Sequence, residues 1–347
     1  MKPVRNRIEI IADVAADWGD PDHPARASAV EATLDAPNRW TEQALTHALN
    51  RWMQRLTVEA LGEWVGEEAP ARSVRVGVIH ADSGPLAGLR DALATWTLGH
   101  RYVGHVPDGS PALLPSFAED LEENGLGIDI QFGTESRVYE DADVVVAAPD
   151  SVATVQSACA DFGIPEERRL VRPPVYSVGV VDGHESQDEM GRLAEDMLLY
   201  EGMGRRHLAL IWAPRDHAPD DYLQAMAHFR GLFPAHEDTP GTLQMQQAFL
   251  DAHDQSHAYA DGLEFLVSRG GPEVQRAGHV RWTEYDQVEE FADWLADHEE
   301  DVYSVIARPH LQDKLPDHHT IRAPGGVHIP PLADKEGREI VAFLRDV

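Results

Sequence analysis

Residues 178–214 constrain the fold of this chain most, because their hydrophobic period changes twice within one unbroken run. Val178, Val180 and Val181 form a β-branched stretch that stops at Asp182-Gly183. Glu185 and Asp188 then load the next first helical turn with negative charge, which suits the helix dipole. Met190, Leu193, Met197 and Leu198 recur at helical spacing as far as about Tyr200. Gly202 and Gly204 end that helix, and residues 208–212 open a new apolar strand. The run therefore predicts strand, acidic turn, helix, glycine turn and strand, with a hinge between two halves of the chain near Asp182-Gly183. A reactive group would sit on the glycine turn.

The flanking sequence repeats this alternation. Strands are expected over 74–79, 101–106, 128–132 and 144–148, with helices over 85–98, 111–123 and 150–162, the last capped by Asp150. Such alternation argues for a mostly parallel sheet covered on both faces, with the ligand crevice at the carboxyl ends of the strands. Beyond the hinge, strands are expected over 208–212, 263–267, 279–282 and 302–307, and helices over 222–232, 243–253, 288–298 and 336–344. Gly270-Gly271-Pro272 and Ala323-Pro324-Gly325-Gly326 read as turns. Residues 1–70 carry helical patterns, with Ile8, Ile11, Val14 and Ala15 in one and a second running from Thr41 through Trp52, Leu56 and Leu61 to Trp64; they are expected as a helical cover on the sheet. The domains expected are thus an N-terminal helical region over 1–70, an α/β domain over 71–181 and a second over 182–347 that includes the C-terminal helix.

Composition narrows the class. With 347 residues, 43% of them hydrophobic, the chain can bury large cores. Its 60 Asp and Glu against 29 Lys and Arg give a formal charge of -31, and Lys2, Lys314 and Lys335 are the only lysines. Acid spread throughout, with lysine nearly eliminated, is the composition of a salt-adapted protein, and it disfavours nucleic acid or an anionic membrane as partner. Cys159 is the single cysteine, so no intrachain disulfide and no cysteine-rich zinc site can form, which fits a reducing cytoplasm. No segment has the length of a signal peptide or of a membrane span.

Three runs carry a family resemblance: VGVIHADSGPLAGLRDALATWTLGH from residue 76, VVDGHESQDEM from residue 180 and YEGMGRRHLALIWAP from residue 200. They resemble the fatty-acyl-CoA reductases of the bacterial luminescence pathway, a branch of the aldehyde dehydrogenase superfamily, and the alignment extends from about residue 72 to the C-terminus. The resemblance implies an aldehyde-dehydrogenase-like α/β fold of two doubly wound domains, NADPH-dependent reduction of an acyl thioester to an aldehyde, a small acyl or anionic ligand, and a homodimer. It also assigns positions. The family's catalytic cysteine falls on Arg205, and the arginine beside it on Arg206. The cofactor-binding lysine falls on His105, a threonine-glycine-serine turn on Ala148-Pro149-Asp150, and the oxyanion asparagine on Ser83. Arginine cannot form the thioester, since its guanidinium stays protonated and offers only donors. Asp150 puts negative charge where a pyrophosphate would lie.

Two functional readings follow. One is a reductase whose thiol step has been replaced; the other is a binding or scaffold protein on the same fold, its reaction lost and Arg205 holding an anion. Glu185 reads either as a base beside the turn or as a dipole partner of the helix. Arg205 reads either as the anion's ligand or as the partner of Glu201 or Glu185. Cys159, flanked by Ala158 and Ala160, reads as a small buried hydrophobe. His253 and His257 are four apart, as zinc ligands on a helix are, and His318-His319 is a weaker pair; with no third ligand placed, no metal is assigned.

Overall fold

The computed structural model describes residues 2–312, 314–315 and 320–347. The chain divides into two compact units, Met1–Pro174 with Ile329–Val347, and Val175–His328.

The first unit opens with α1 (Val4–Trp18), α2 (Pro24–Asp35), α3 (Glu42–Met53) and α4 (Val58–Val65). Thr41 and Thr57 accept from Ala44 N and Ala60 N, so the single periodic pattern expected from Thr41 to Trp64 is cut into two capped helices. The βα succession follows: β1 (Arg75–Ile79), α5 (Leu89–Leu98), β2 (Arg101–His105), α6 (Leu113–Glu123), β3 (Ile130–Phe132), α7 (Glu135–Asp141), β4 (Val144–Ala147), α8 (Val152–Asp161) and β5 (Arg169–Val171). These strands form one parallel sheet in the order β3-β2-β1-β4-β5. On one face Val103, Val145 and Ile79 pack with Val138, Val155 and Cys159 from α7 and α8. Helix α5 is buried along its whole length, because α1, α4 and the C-terminal helix over 335–346 pack on it from outside. The N-terminal helices therefore cover other helices, one layer further from the strands than the sequence suggests.

The second unit contains β6 (Tyr176–Val180), α9 (Gln187–Leu198), β7 (Leu208–Pro214), α10 (Asp220–Leu232), α11 (Thr239–Ala252), β8 (His257–Tyr259), β9 (Leu266–Arg269), β10 (His279–Tyr285), α12 (Val288–Asp297), β11 (Val302–Ala307), α13 (Pro309–Gln312) and β12 (Ile321–Arg322). Its sheet has the order β12-β11-β6-β7-β10-β9-β8, parallel except for β8 against β9. Val178, Leu210, Trp212 and Val305 of the strands pack with Phe291 and Leu295 of α12. The strands expected over 74–148 and over 208–307 thus lie in two separate sheets.

Both ends of the second domain differ from the sequence reading. The division falls before β6, not after it, because Val178 pairs with Leu210 of β7 and Val305 of β11. The C-terminal helix α14 (Lys335–Asp346) belongs to the first unit. Arg90 of α5 holds it, donating to Asp334 at 2.6 Å and Glu336 at 2.8 Å, and Trp64 Nε1 donates to the Gly337 carbonyl at 2.7 Å. Two element starts shift for backbone reasons. Leu86 and Gly88 take φ of 58° and 80°, so α5 begins at Leu89 instead of Pro85; Leu263 takes φ of 52°, so β9 begins at Leu266.

Candidate functional site

The first sheet reverses its strand order between β1 and β4, the place where open parallel sheets bind ligands. Ile79 is in register with His105 on one side and Ala147 on the other, so the loops after these strands share one edge. Ser83 lies half-buried in the first loop, His105 ends β2 with Nδ1 3.1 Å from the Gly133 carbonyl, and Pro149-Asp150 follow β4. The sequence-predicted positions of this half therefore come together. The loop after β1 folds onto His80, whose ring nitrogens lie 2.7 Å from the Ala87 carbonyl and 2.5 Å from the Tyr102 hydroxyl. Burial pushes the pKa of His80 down to about 4, so it is neutral. The cap of α8 is Ser151, which accepts from Thr154 N at 3.4 Å; Asp150 stands one residue earlier and is exposed, which corrects the expected cap. Loops 80–88, 106–112 and 148–151 carry Asp82, Asp108 and Asp150 and no lysine or arginine.

In the second unit, α9 starts from a capping box in which Ser186 and Glu189 serve each other's backbone amides. It ends in three consecutive left-handed residues, Tyr200, Glu201 and Gly202, with φ of 56°, 56° and 65°. For two residues with side chains this costs on the order of 1–2 kcal/mol each, so neighbours must impose it. Glu201 is buried and takes the guanidinium of Arg230 at 3.2 and 3.3 Å and the hydroxyl of Thr239 at 2.6 Å. Tyr200 stands edge-on to the His328 ring, centroids 5.2 Å apart. At Gly202 a Cβ would meet the amide nitrogen of Gly278 at 2.9 Å.

This turn delivers Gly204, Arg205, Arg206 and His207 to the start of β7. Arg205 is half-buried; Arg206 stacks on Tyr303, 4.9 Å from the ring centroid, with Arg322 at 5.7 Å from the same ring. His207 Nδ1 lies 2.7 Å from the Gly204 carbonyl. Burial lowers the pKa of His207, and burial together with His207 lowers that of His328 to about 4. His328 is carried by the Ala323-Pro324-Gly325-Gly326 turn, whose amides at Gly325, Gly326 and Val327 donate to the buried Asp196 carboxyl at 2.7, 3.0 and 3.2 Å. Asp196, Arg230, Thr239 and His328 escape sequence reasoning, and Glu201 reads from the sequence only as a partner of Arg205; the Gly-Gly pair at 325–326 is the one signal near Asp196 and His328.

Glu185 is placed elsewhere. It follows β6 at the carboxyl edge of the sheet, whereas Arg205 precedes β7 at the amino edge, and α9 of 12 residues, about 18 Å long, runs between the two edges. Its oxygens accept from Asp182 N and Gly183 N, both at 3.0 Å, and from the Tyr222 hydroxyl. A base beside the turn is not its role. It anchors the acidic turn, next to Asp182, which pairs with Arg308 at 3.1 Å and with His310.

The remaining candidates resolve simply. Cys159 is fully buried on α8, and burial pushes its thiol pKa up. His253 falls just past the end of α11 with its ring tilted against Phe249, while His257 opens β8, so the two share no helix face. His318-His319 lies outside the described residues. Among the described residues no group of three His, Cys, Asp or Glu side chains is placed to hold a metal. No described helix is long and apolar enough to cross a membrane.

The five-stranded parallel sheet and the seven-stranded, mostly parallel sheet have the architecture of the aldehyde dehydrogenase fold. A putative aldehyde dehydrogenase from Burkholderia cenocepacia superposes with a TM-score of 0.70 at 11% identity, over 93% of this chain and 80% of that one. An NAD-dependent benzaldehyde dehydrogenase from Corynebacterium glutamicum gives 0.69 at 13% identity, over 99% and 84%. An indole-3-acetaldehyde dehydrogenase of P. syringae, solved with NAD+, gives 0.66 at 13% identity, over 93% and 77%. At these identities the likeness is one of fold. The sequence matches no protein-family model and no curated protein.

Proposed function

We propose that this protein is an acyl-CoA-reductase-like binding protein: it uses the aldehyde dehydrogenase fold to hold an acyl or other small organic anion, without thiol chemistry. The observation that supports this reading is the left-handed turn of Tyr200, Glu201 and Gly202, buttressed by a buried ion pair, which leads into Arg205, the position that the family resemblance gives to the nucleophile. A guanidinium cannot accept an acyl group, but it binds carboxylate or phosphate through charge-assisted hydrogen bonds. The neutral His207 and His328 beside it add no competing charge.

The groups at the carboxyl edge of the first sheet do not fit NADPH. A nicotinamide dinucleotide phosphate needs donors and cations around its phosphates, and the three loops there supply Asp82, Asp108 and Asp150 instead. No hydride step is therefore assigned. The composition supports a salt-rich setting, in which counter-ions screen the acidic surface.

The test has two arms, both at high salt. Titration with NADPH, followed by nicotinamide fluorescence, should give no saturable signal, and palmitoyl-CoA with NADPH should give no aldehyde. Palmitoyl-CoA alone should raise the melting temperature, and Arg205→Gln should abolish that rise while leaving cooperative unfolding intact. Aldehyde formation, or a bound acyl group that survives gel filtration, would overturn the reading; so would an unchanged palmitoyl-CoA shift in the variant.

A further inference from the structure

Strands β9 and β10 pair in the register His279 to Leu266, Arg281 to Ser268 and Trp282 to Arg269. Alternation puts His279, Arg281 and Thr283 on one face of β10, with Ser268 opposite Arg281. Arg281 is only 5% exposed, and burial lowers its pKa. Its guanidinium makes one hydrogen bond, from Nη1 to the Arg269 carbonyl at 3.2 Å; Nε has no partner among the described residues. Among the described residues no carboxylate reaches it within ion-pair distance, and Glu273 acts on it only at longer range. Buried charges in proteins are ordinarily paired, so a lone buried guanidinium calls for an anion.

The surroundings are shaped for one. A Cβ at Gly270 would sit 2.4 Å from Arg281 Nη1, so only glycine lets the guanidinium occupy that position. Gly270 and Thr283 also line an open cleft of about 560 Å³ at the carboxyl end of β9 and β10, walled by Trp212, Gly271 and Pro272. Trp212 and Trp282, both buried and both lining it, have indole N–H groups without an acceptor among the described residues. The two carboxylates of the cleft are both held in place. Glu284 faces Arg269 at 3.0 Å, and Glu290 accepts from the amides of Asp286 and Gln287, each at 3.1 Å. Arg281 lies behind Gly270, just beneath this lining, and among the described residues it has no carboxylate at ion-pair distance.

We propose that this cleft is a second ligand site, for a small organic anion with a flat apolar body: its carboxylate or phosphate is drawn to Arg281 past Gly270, and its body lies against Trp212 and Pro272. The site is separate from the turn at Arg205, which lies at the opposite edge of the same sheet.

Benzoate and phenyl phosphate are the probes, read by tryptophan fluorescence and by melting temperature, with benzyl alcohol as the uncharged control. Wild-type protein should bind at least one of the two anions and not the alcohol. Arg281→Gln should weaken that binding by about tenfold or more, whereas Arg205→Gln should leave it unchanged. A second variant does not touch the buried strand. A Cβ at Gly271 meets nothing within 4 Å, so Gly271→Phe is accommodated by the fold and should block the cleft from outside. The proposal fails if neither anion binds the wild type, if Arg281→Gln folds and keeps full affinity, or if Gly271→Phe binds as the wild type does. Loss of binding in Arg205→Gln would assign the anion to the turn instead and overturn the second site.

Discussion

Glu201 holds a left-handed backbone, φ 56°, while its buried carboxylate receives both terminal nitrogens of Arg230 at 3.2 and 3.3 Å. The pair spans from the end of α9 to α10, so the strained turn is imposed by tertiary contact and not by its own residues. Replacing Arg230 by Leu leaves a buried carboxylate that, among the described residues, keeps the Thr239 hydroxyl alone. That should cost on the order of 3–5 kcal/mol, measured as a fall in the urea midpoint. Replacing both partners by apolar residues should recover much of the loss, and a double-mutant cycle that showed simple additivity would remove the pair from this role.

Asp196 should make stability depend on pH. Burial raises its pKa from the ordinary 3.8 to about 7, against the opposing effect of the Gly325 and Val327 amides. The folded state then binds a proton that the unfolded state has released. Stability from this group is fully present below about pH 4, falls by about 1.4 kcal/mol per pH unit at most, and is lost as pH rises through about 7. Urea midpoints measured from pH 5 to 8 should show this slope in the wild type and lack it in Asp196→Asn. Equal slopes in the two proteins would show that the turn carrying His328 does not rest on this carboxyl.

Thiol accessibility distinguishes the turn from the core. Cys159 is fully buried with its pKa raised, so the native wild type should not react with an aromatic disulfide reagent, and one thiol should appear on unfolding. Arg205→Cys should add one thiol that reacts in the native state, because position 205 is only half-buried. Native labelling of the wild type would contradict the burial of Cys159.

Salt should stabilise the chain. A formal charge of -31 on 347 residues repels itself in the compact state, and counter-ions relieve that repulsion. Melting temperature is expected to climb with KCl well past the ionic strength at which the surface pairs are screened. A flat or falling curve would dissociate the acidic composition from salt adaptation.

Much of this architecture was legible because periodicity reports burial. Residues 302–307 read as a strand from their apolar run and are one, and the two groups of strands separate into two sheets as their order suggests. The candidate site was legible only in part. Ser83, His105 and Asp150 share an edge because the β1, β2 and β4 strand ends adjoin, but Glu185 and Arg205, twenty positions apart, stand at opposite edges. A helix between parallel strands always carries the chain from one edge to the other, and local sequence does not say which edge holds the chemistry.

The sequence by itself determined the α/β alternation, the absence of a thiol at the turn, the acidic surface and the glycines that permit close approach at Gly202 and Gly270. These follow from side-chain chemistry and local backbone preference, which each residue carries with it. Only the tertiary structure decided that Tyr200 and Glu201 would be left-handed, that α14 would return to the first unit through Arg90, and that Arg281 would be buried with no carboxylate at ion-pair distance among the described residues. The first two depend on partners 29 or more positions away, Arg230 for Glu201 and Asp334 for Arg90, and the third on the pairing of β10 with β9; such contacts come into being only when the sheets have formed.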